Sequence, residues 1–543
     1  MKFVRNHWPV LVAVIVLWIT LAALVRSILI RDDGHLVYVL DDPYIHMAVA
    51  KNLAEHGVWG VTKHEFTSAT SSMIWPLLLA LVYKATGPNE VTPFALNVLL
   101  ATGFLCMMYV LWRKCALPQA ANAGGLIAMV FVAPLAPLAL CAQEHILHCL
   151  LVVSAVYLAC KLLSEKEGAR PSYGALACLL LLFPLLTMTR YESLFIVLVV
   201  CLLFAARGRM GYGFLLGGAG VLPAIVYGTI STHNGWGYLP NPILLKGNTN
   251  ITTAKGLLVT AALLERQLMQ NPLMFLVLAG CAVMLYLLYA KTGTIWGERT
   301  LALGIVIPLT LMQVAFARTG WFFRYEAYII TLFVFAIVAA WNEYSPGGFG
   351  VPRTEGRATR YIVLACVFVL SCLPLLDRVF WSLWETPRGS NEVYEQQYQM
   401  ATFLREYYEG ESVAANDIGA INYFADVKCL DLYGLADVRV ARAMKAMRYN
   451  TAMVSDLAKS GGVKVAIVYD EWFREWGGVP KEWIRVGQWT IGSRIVCGSN
   501  SVSIYAVDPT EVDNLAQNLA AFAPELPQGV AQSGTYTELA ENR

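Results

Sequence analysis

The sequence predicts a polytopic α-helical membrane protein that carries a C-terminal α/β domain outside the bilayer. Three observations predict it. Of 543 residues, 57% are hydrophobic and only 14% charged, where soluble domains carry about 25% charged residues. Eleven apolar runs within the first 380 residues read as membrane spans. From about residue 385 the composition becomes that of a soluble protein. The net charge of +2 argues neither for nor against nucleic acid, and no basic run suggests it.

The first run, "WPVLVAVIVLWITLAALVRSI" at 8–28, follows Lys2 and Arg5 and lacks a small-x-small cleavage site. It reads as a retained signal anchor with its N-terminus in the cytoplasm. The others lie at 94–112, 120–141, 146–163, 173–188, 193–207, 211–231, 272–290, 300–317, 325–341 and 359–377. The segment "SSMIWPLLLALVYKATG", 71–87, is ambiguous, and loop charge decides it. If it does not cross, every cytoplasmic connector is basic: Arg113 and Lys114; Lys161, Lys166 and Arg170; Arg207 and Arg209; Lys291 and Arg299; Arg353, Arg357 and Arg360. If it crosses, all of these move outside, against the positive-inside rule. It is therefore expected to lie on the outer face.

The expected domains are residues 1–380, a membrane domain whose first outer loop (31–93) carries juxtamembrane helices; residues 385–510, the α/β domain; and residues 511–543, a flexible tail. A Gly/Pro-rich inner linker is expected at 342–358. Strand patterns in "ESVAAND" and "VKVAIVYD" alternate with helical patterns in "NEVYEQQYQMATFLREYYEG" and "ADVRVARAMKAM", the pattern of a small α/β fold. Most of the twelve cysteines sit in apolar runs as small hydrophobes. Cys429 and Cys497, in the polar part, are candidates for a disulfide if that part faces an oxidising compartment.

This threading gathers the ionisable groups at one level. Asp41, Asp42, His46, Glu144, His145, His148, Arg190, Glu192, Lys246, Arg318, Arg324 and Glu326 all fall at outer helix ends or in outer loops, and the span centres hold no Asp, Glu, Lys or Arg. Ion-coupled transport uses charges at mid-membrane; a single polar layer at the interface suits an enzyme whose substrate arrives at the membrane surface. In "DDPYIHMAVAKNLAEHG", Pro43 suits a first helical turn and one acid suits its cap. The second carboxylate is then free for a general base or a metal ligand. Glu144-His145, Arg190 with Glu192, and Arg318, Arg324 and Glu326 stand at three further helix ends. Each alone reads as an ion-paired terminus. Together they supply cations for a phosphate leaving group and acids for a hydroxyl acceptor. His145 and His148, with Glu144, have metal-ligand spacing but no third firm partner. Lys246 closes the outer loop "GYLPNPILLKG" as a turn residue or as a charge for a lipid phosphate. Asp417 and Asp431 read as caps or turn formers.

The acidic pair in the first outer loop, the interfacial helix after it and the acid opening the second outer loop (Glu144) resemble the GT-C integral-membrane glycosyltransferases. These include protein O-mannosyltransferases, aminoarabinose transferases of lipid A and mycobacterial arabinofuranosyltransferases. The wording of 41–57 looks most like the bacterial branch. The resemblance implies transfer of a sugar, arabinofuranose by that wording, from a polyprenyl-phosphate donor to a hydroxyl of a glycan, lipid or protein, with inversion. It places the enzyme in a bacterial inner membrane with its site and C-terminal domain toward the periplasm. By residue match it implies Asp41 as the base, with Asp42 orienting it, binding acceptor or holding a divalent cation. The sequence departs from the "DExxY"-like form at Asp42 and Ile45, with its aromatic at Tyr44. It has Gln143-Glu144 where some relatives carry DxD, which leaves the cation open. Two other readings stand beside this one: a flippase of lipid-linked sugars, and an O-antigen ligase or polymerase.

Overall fold

The computed structural model describes residues 2–166, 172–246, 266–269, 271–344 and 358–541, with the side chains of Lys2, Phe3, Lys246 and of 358–372 outside that description. Of the inner linker expected at 342–358, residues 342–344 end one helix and Ala358 begins the next; residues 345–357, and the connector residues Arg170, Arg353 and Arg357, lie outside the described residues. The chain opens with α1 (Lys2–Arg31), α2 (Asp42–His56), α3 (Ile74–Thr86) and α4 (Val91–Lys114). It continues with α5 (Gln119–Val132), α6 (Leu135–Leu140), α7 (His145–Ser164), α8 (Tyr173–Thr189), α9 (Ser193–Ala206), α10 (Met210–His233) and α11 (Asn241–Lys246). Helices Pro272–Thr292, Glu298–Phe316, Ala327–Tyr344 and Ala358–Val393 complete the membrane domain.

Among the described residues, seven helices are long and apolar enough to cross a membrane: α1, α4, α7, α10 and the three beginning at Pro272, Glu298 and Ala327. Shorter apolar helices α5, α8 and α9 fall where runs were expected. The expected span 120–141 is split into α5 and α6. Pro134 stands at the break, where a missing N–H and the ring's bulk end the helical ladder. Helix α3 has thirteen residues, about 20 Å at 1.5 Å per residue, short of a ~30 Å hydrocarbon core. It packs along α2.

The last bundle helix continues without a loop through a π-helical turn, Tyr394–Tyr398, into the helix Gln399–Tyr407. This continuous helix joins bundle to domain. The domain is a six-stranded mixed sheet in the order β2-β1-β3-β5-β4-β6, with β1 (Ser412–Ala415), β2 (Lys428–Asp431), β3 (Val465–Val468), β4 (Ile484–Thr490), β5 (Ser501–Ala506) and β6 (Ala531–Gly534). Strand β1 pairs in parallel with β2 and β3, and the other pairings are antiparallel. All of "VAIV" in β3 is buried, because both faces are covered. Val465 and Ile467 join the main core, whereas Ala466 and Val468 join a second one with Val440, Val454 and Phe473.

One expectation gives way here. The described part of the expected flexible tail, residues 511–541, is ordered into elements: Val512–Phe522 is a helix that buries Leu515, Leu519 and Phe522, and β6 pairs with β4. The i, i+4, i+7 spacing of those three side chains supplies an apolar face that outweighs the polar average of the segment. Cys429 and Cys497 are both free thiols, and the Cys497 Sγ lies 3.3 Å from the Gln397 side-chain oxygen.

Candidate active site

The two acids that open α2 point to different places. The carboxylate of Asp41 leaves α2 uncapped and reaches a helix 378 residues further on. Its Oδ2 accepts from Gly419 N at 2.7 Å and its Oδ1 from Ala420 N at 2.8 Å, capping the helix Gly419–Phe424 of the C-terminal domain. A Cβ on Gly419 would stand 2.1 Å from the Asp41 carbonyl oxygen, so only glycine admits this approach. Burial, reinforced by Asp417 alongside, pushes the Asp41 carboxyl above the usual carboxylate range. Asp42 turns the other way, into a cavity of about 260 Å³.

Asp42, Ile45 and His46 share one face of α2 at i, i+3 and i+4, and all three line the cavity. The Asp42 carboxylate pairs with Arg324 and keeps a quarter of its side chain accessible. Arg324 also donates to the Gln143 side-chain oxygen. Behind this pair, buried Glu144 accepts from Arg190 at 2.8 Å, and Arg190 reaches Glu192 at 2.7 Å. The ring of Tyr325 lies against both guanidiniums, 4.9 Å from Arg324 and 5.4 Å from Arg190. Arg318 is the exposed cation of the lining, and among the described residues its side chain has no ion-pair partner.

The segment presenting Arg318, Arg324 and Tyr325 is held in an unfavourable backbone. Gly320, Phe322 and Phe323 have φ of 88°, 51° and 61°, and for bulky residues the left-handed region is costly. Two buried groups pin it. Glu326 accepts from Gly320 N at 2.8 Å and pairs with Arg378. Arg378 also donates to the carbonyls of Phe323 and of Val132. Glu326 thus serves the loop from behind and does not line the cavity.

Of the other expected site residues, Asp41, Tyr44, Glu144 and His145 also stand outside the lining. Tyr44 is buried in the seam with the domain, near Tyr423 and Phe424, and its hydroxyl accepts from Tyr38 N. His148 is bound to Ser193 at 2.9 Å within the bundle, whereas His145 stands against the Tyr325 ring, so the pair does not converge on one ligand. Among the described residues no three His, Cys, Asp or Glu side chains gather as metal ligands. The carboxylates nearest the cavity are already taken by guanidiniums, which repel a cation. Lys246 ends α11, but its side chain lies outside the described residues.

Sequence reasoning placed His46 in the outer polar layer and noted Gln143 without giving either a role in the site, and it passed over Tyr191, Tyr325 and Leu435; all five are in the lining, with the unremarked Arg378 behind it. His46 carried a signal, four residues after Asp42 on a helix. Leu435 carried none, since it reaches the cavity from the C-terminal domain. Burial holds His46 below the usual imidazole range. The remaining lining is apolar, notably Leu194, Phe195, Ile243 and Phe316. Four buried polar atoms around the polar end, His46 Nδ1, Glu144 Oε2, Glu192 Oε2 and Arg324 Nε, have no hydrogen-bond partner among the described residues. Buried polar groups are normally satisfied, so this end is suited to a polar ligand.

The C-terminal part, residues 391–505, matches a family model described as a domain of unknown function, DUF8728. No curated protein matches the sequence. Among solved structures, the chain is similar to ArnT from Cupriavidus metallidurans bound to undecaprenyl phosphate. That match has 12% identity and a TM-score of 0.52, and covers 93% of this chain and 99% of the other. The apo state of the same protein gives 12% identity and a TM-score of 0.48, with coverages of 93% and 99%. An oligosaccharyltransferase from Archaeoglobus fulgidus gives 11% identity and a TM-score of 0.46, with coverages of 89% and 73%. The liganded ArnT match shows that the chain has an ArnT-like fold: a helical membrane bundle with a C-terminal domain.

Proposed function

We propose that this chain of ArnT-like fold is a membrane glycosyltransferase that moves a sugar from a polyprenyl-phosphate donor to an acceptor hydroxyl. One observation carries the reading. A single cavity joins an apolar wall to a polar end where an accessible carboxylate stands beside three guanidiniums. That combination suits a lipid phosphate, its tail against Leu194, Phe195 and Phe316 and its charge on Arg318, Arg190 and Arg324. The solved ArnT structure was determined with undecaprenyl phosphate, which supports a donor of that class.

In this reading Asp42, rather than Asp41, is the base. Its carboxylate takes the acceptor hydroxyl proton, the oxygen attacks the anomeric carbon from the face opposite the phosphate, and the C–O bond to phosphate breaks with inversion. The guanidiniums hold the charge that develops on the departing polyprenyl phosphate. Glu144 and Glu192 keep Arg190 in place as positioning residues. No metal enters the scheme. The basic connectors support a site on the outer face of the membrane, and the wording of residues 41–57 favours an arabinofuranosyl donor. The acceptor, whether glycan, lipid or protein, is recognised at the mouth of the cavity.

The test is to incubate the full chain in detergent with a panel of polyprenyl-phosphate sugars, arabinofuranosyl included. One donor should be consumed with release of polyprenyl phosphate, and Asp42→Asn, whose amide oxygen still accepts from Arg324, should lower turnover by ~10²-fold or more while the chain keeps a cooperative melting transition. Normal turnover in Asp42→Asn would overturn the base assignment. Movement of intact donor across vesicles without cleavage would point to the flippase reading.

A further inference from the structure

The helix Val438–Lys445 of the C-terminal domain has a construction that catalysis does not use. It buries Val440, Ala441 and Ala443 and exposes Arg439, Arg442 and Lys445, with Arg448 exposed just beyond. Arg439 is paired with Asp437. Among the described residues, Lys445 and Arg448 have no ion-pair partner. The helix ends in a Schellman turn, Arg448 N bonding Ala443 O at 2.9 Å and Met447 N bonding Met444 O at 3.0 Å. The residue at the left-handed position of that turn is Met447, at φ 54°, where glycine carries no steric penalty. Its side chain is 92% exposed, more than any other large hydrophobic residue described. A strained, solvent-facing methionine between two cations brings the isolated fold no benefit.

Its depth supplies a reason. Arg442 Nη2 donates at 2.8 Å to Gly235 O, just beyond the end of α10. The lipid-type surface of α10, with Leu222, Ile225, Val226 and Ile230 exposed, stops five residues earlier, about 7 Å along the axis at 1.5 Å per residue. Tyr238 is exposed too, its ring packed against Gly228 in the last turns of α10, as aromatic side chains sit in interfacial belts. Arg442 therefore stands at headgroup depth, and Lys445 and Arg448 follow it on the last turn of the same short helix and its terminal turn. We propose that Arg442, Lys445, Arg448 and Met447 form a foot that binds the anionic phospholipid headgroups around the bundle, with Met447 inserted among them. This goes beyond the transfer reaction and does not depend on it.

Reconstituting the full chain in nanodiscs of phosphatidylcholine, with or without phosphatidylglycerol, tests the foot by amide hydrogen exchange. Residues 445–449 should exchange at least about five-fold more slowly with phosphatidylglycerol present, the contribution of one cation at a headgroup layer. High salt should abolish the effect. Lys445→Gln/Arg448→Gln should lose the protection while melting normally in detergent. Met447→Gly should melt higher in detergent yet be protected less in the discs, a split that a purely structural residue would not show. Equal exchange in both kinds of disc, or protection that survives the double charge variant, would overturn the proposal. So would equal protection by inorganic phosphate in phosphatidylcholine discs, which would mark a site for a free anion.

Discussion

Asp41 and Asp42 are neighbours in sequence and serve different parts of the molecule. Successive residues at a helix start point about 100° apart, and the partners that separate these two come from distant segments: Gly419 and Ala420 for one, Arg324 for the other. The pair was legible as important, and one member as a cap. Which one, and of which helix, was not. Asp41→Ala should leave two buried backbone N–H groups without acceptors, at about 1–3 kcal/mol each. Limited proteolysis should then cut near residues 408–420 faster than in the wild type, even at temperatures where the bundle stays folded.

At the scale of elements, the loop between the Glu298–Phe316 and Ala327–Tyr344 helices stores strain to present Arg318, Arg324 and Tyr325. Arg378 and Glu326 hold it there, both buried. Arg378→Ala should cost about 3–5 kcal/mol by leaving the Glu326 carboxylate buried and alone, read as a lower melting temperature together with lost turnover. Adding Glu326→Gln should recover much of the stability but not the turnover, because the loop loses its clamp either way. The sequence showed the cations of this loop and the acid beside them. It concealed Arg378, which stands one residue past the end of the apolar run 359–377.

For the whole molecule, the seam between bundle and domain is a titrating surface. Asp32, bound to Ser390 at 2.7 Å, and Asp431, holding the turn at Tyr433 to Ala436, are both raised to about 7 by burial, and Asp41 is raised as well. The folded state thus keeps protons that an unfolded chain releases near pH 4. That stabilisation is complete below the ordinary carboxylate range and is lost as pH rises through about 7. The melting temperature in detergent should fall between pH 5 and pH 8, and Asp41→Asn should flatten part of that fall. The seam also bounds the site, since Leu435 brings the domain to the cavity wall and Asn241 ties α11 to Gly434 O at 2.8 Å.

The sequence by itself determined the helical bundle, the layer of charges at helix ends and the α/β character of the domain. Each follows from periodicity and composition, properties local to a stretch of chain. The tertiary structure decided which acid faces the cavity, that the final residues complete the sheet, and that His145 and His148 part company. Those outcomes depend on which groups arrive from hundreds of residues away to neutralise a charge or cover an apolar face, and no local pattern encodes the identity of a distant partner.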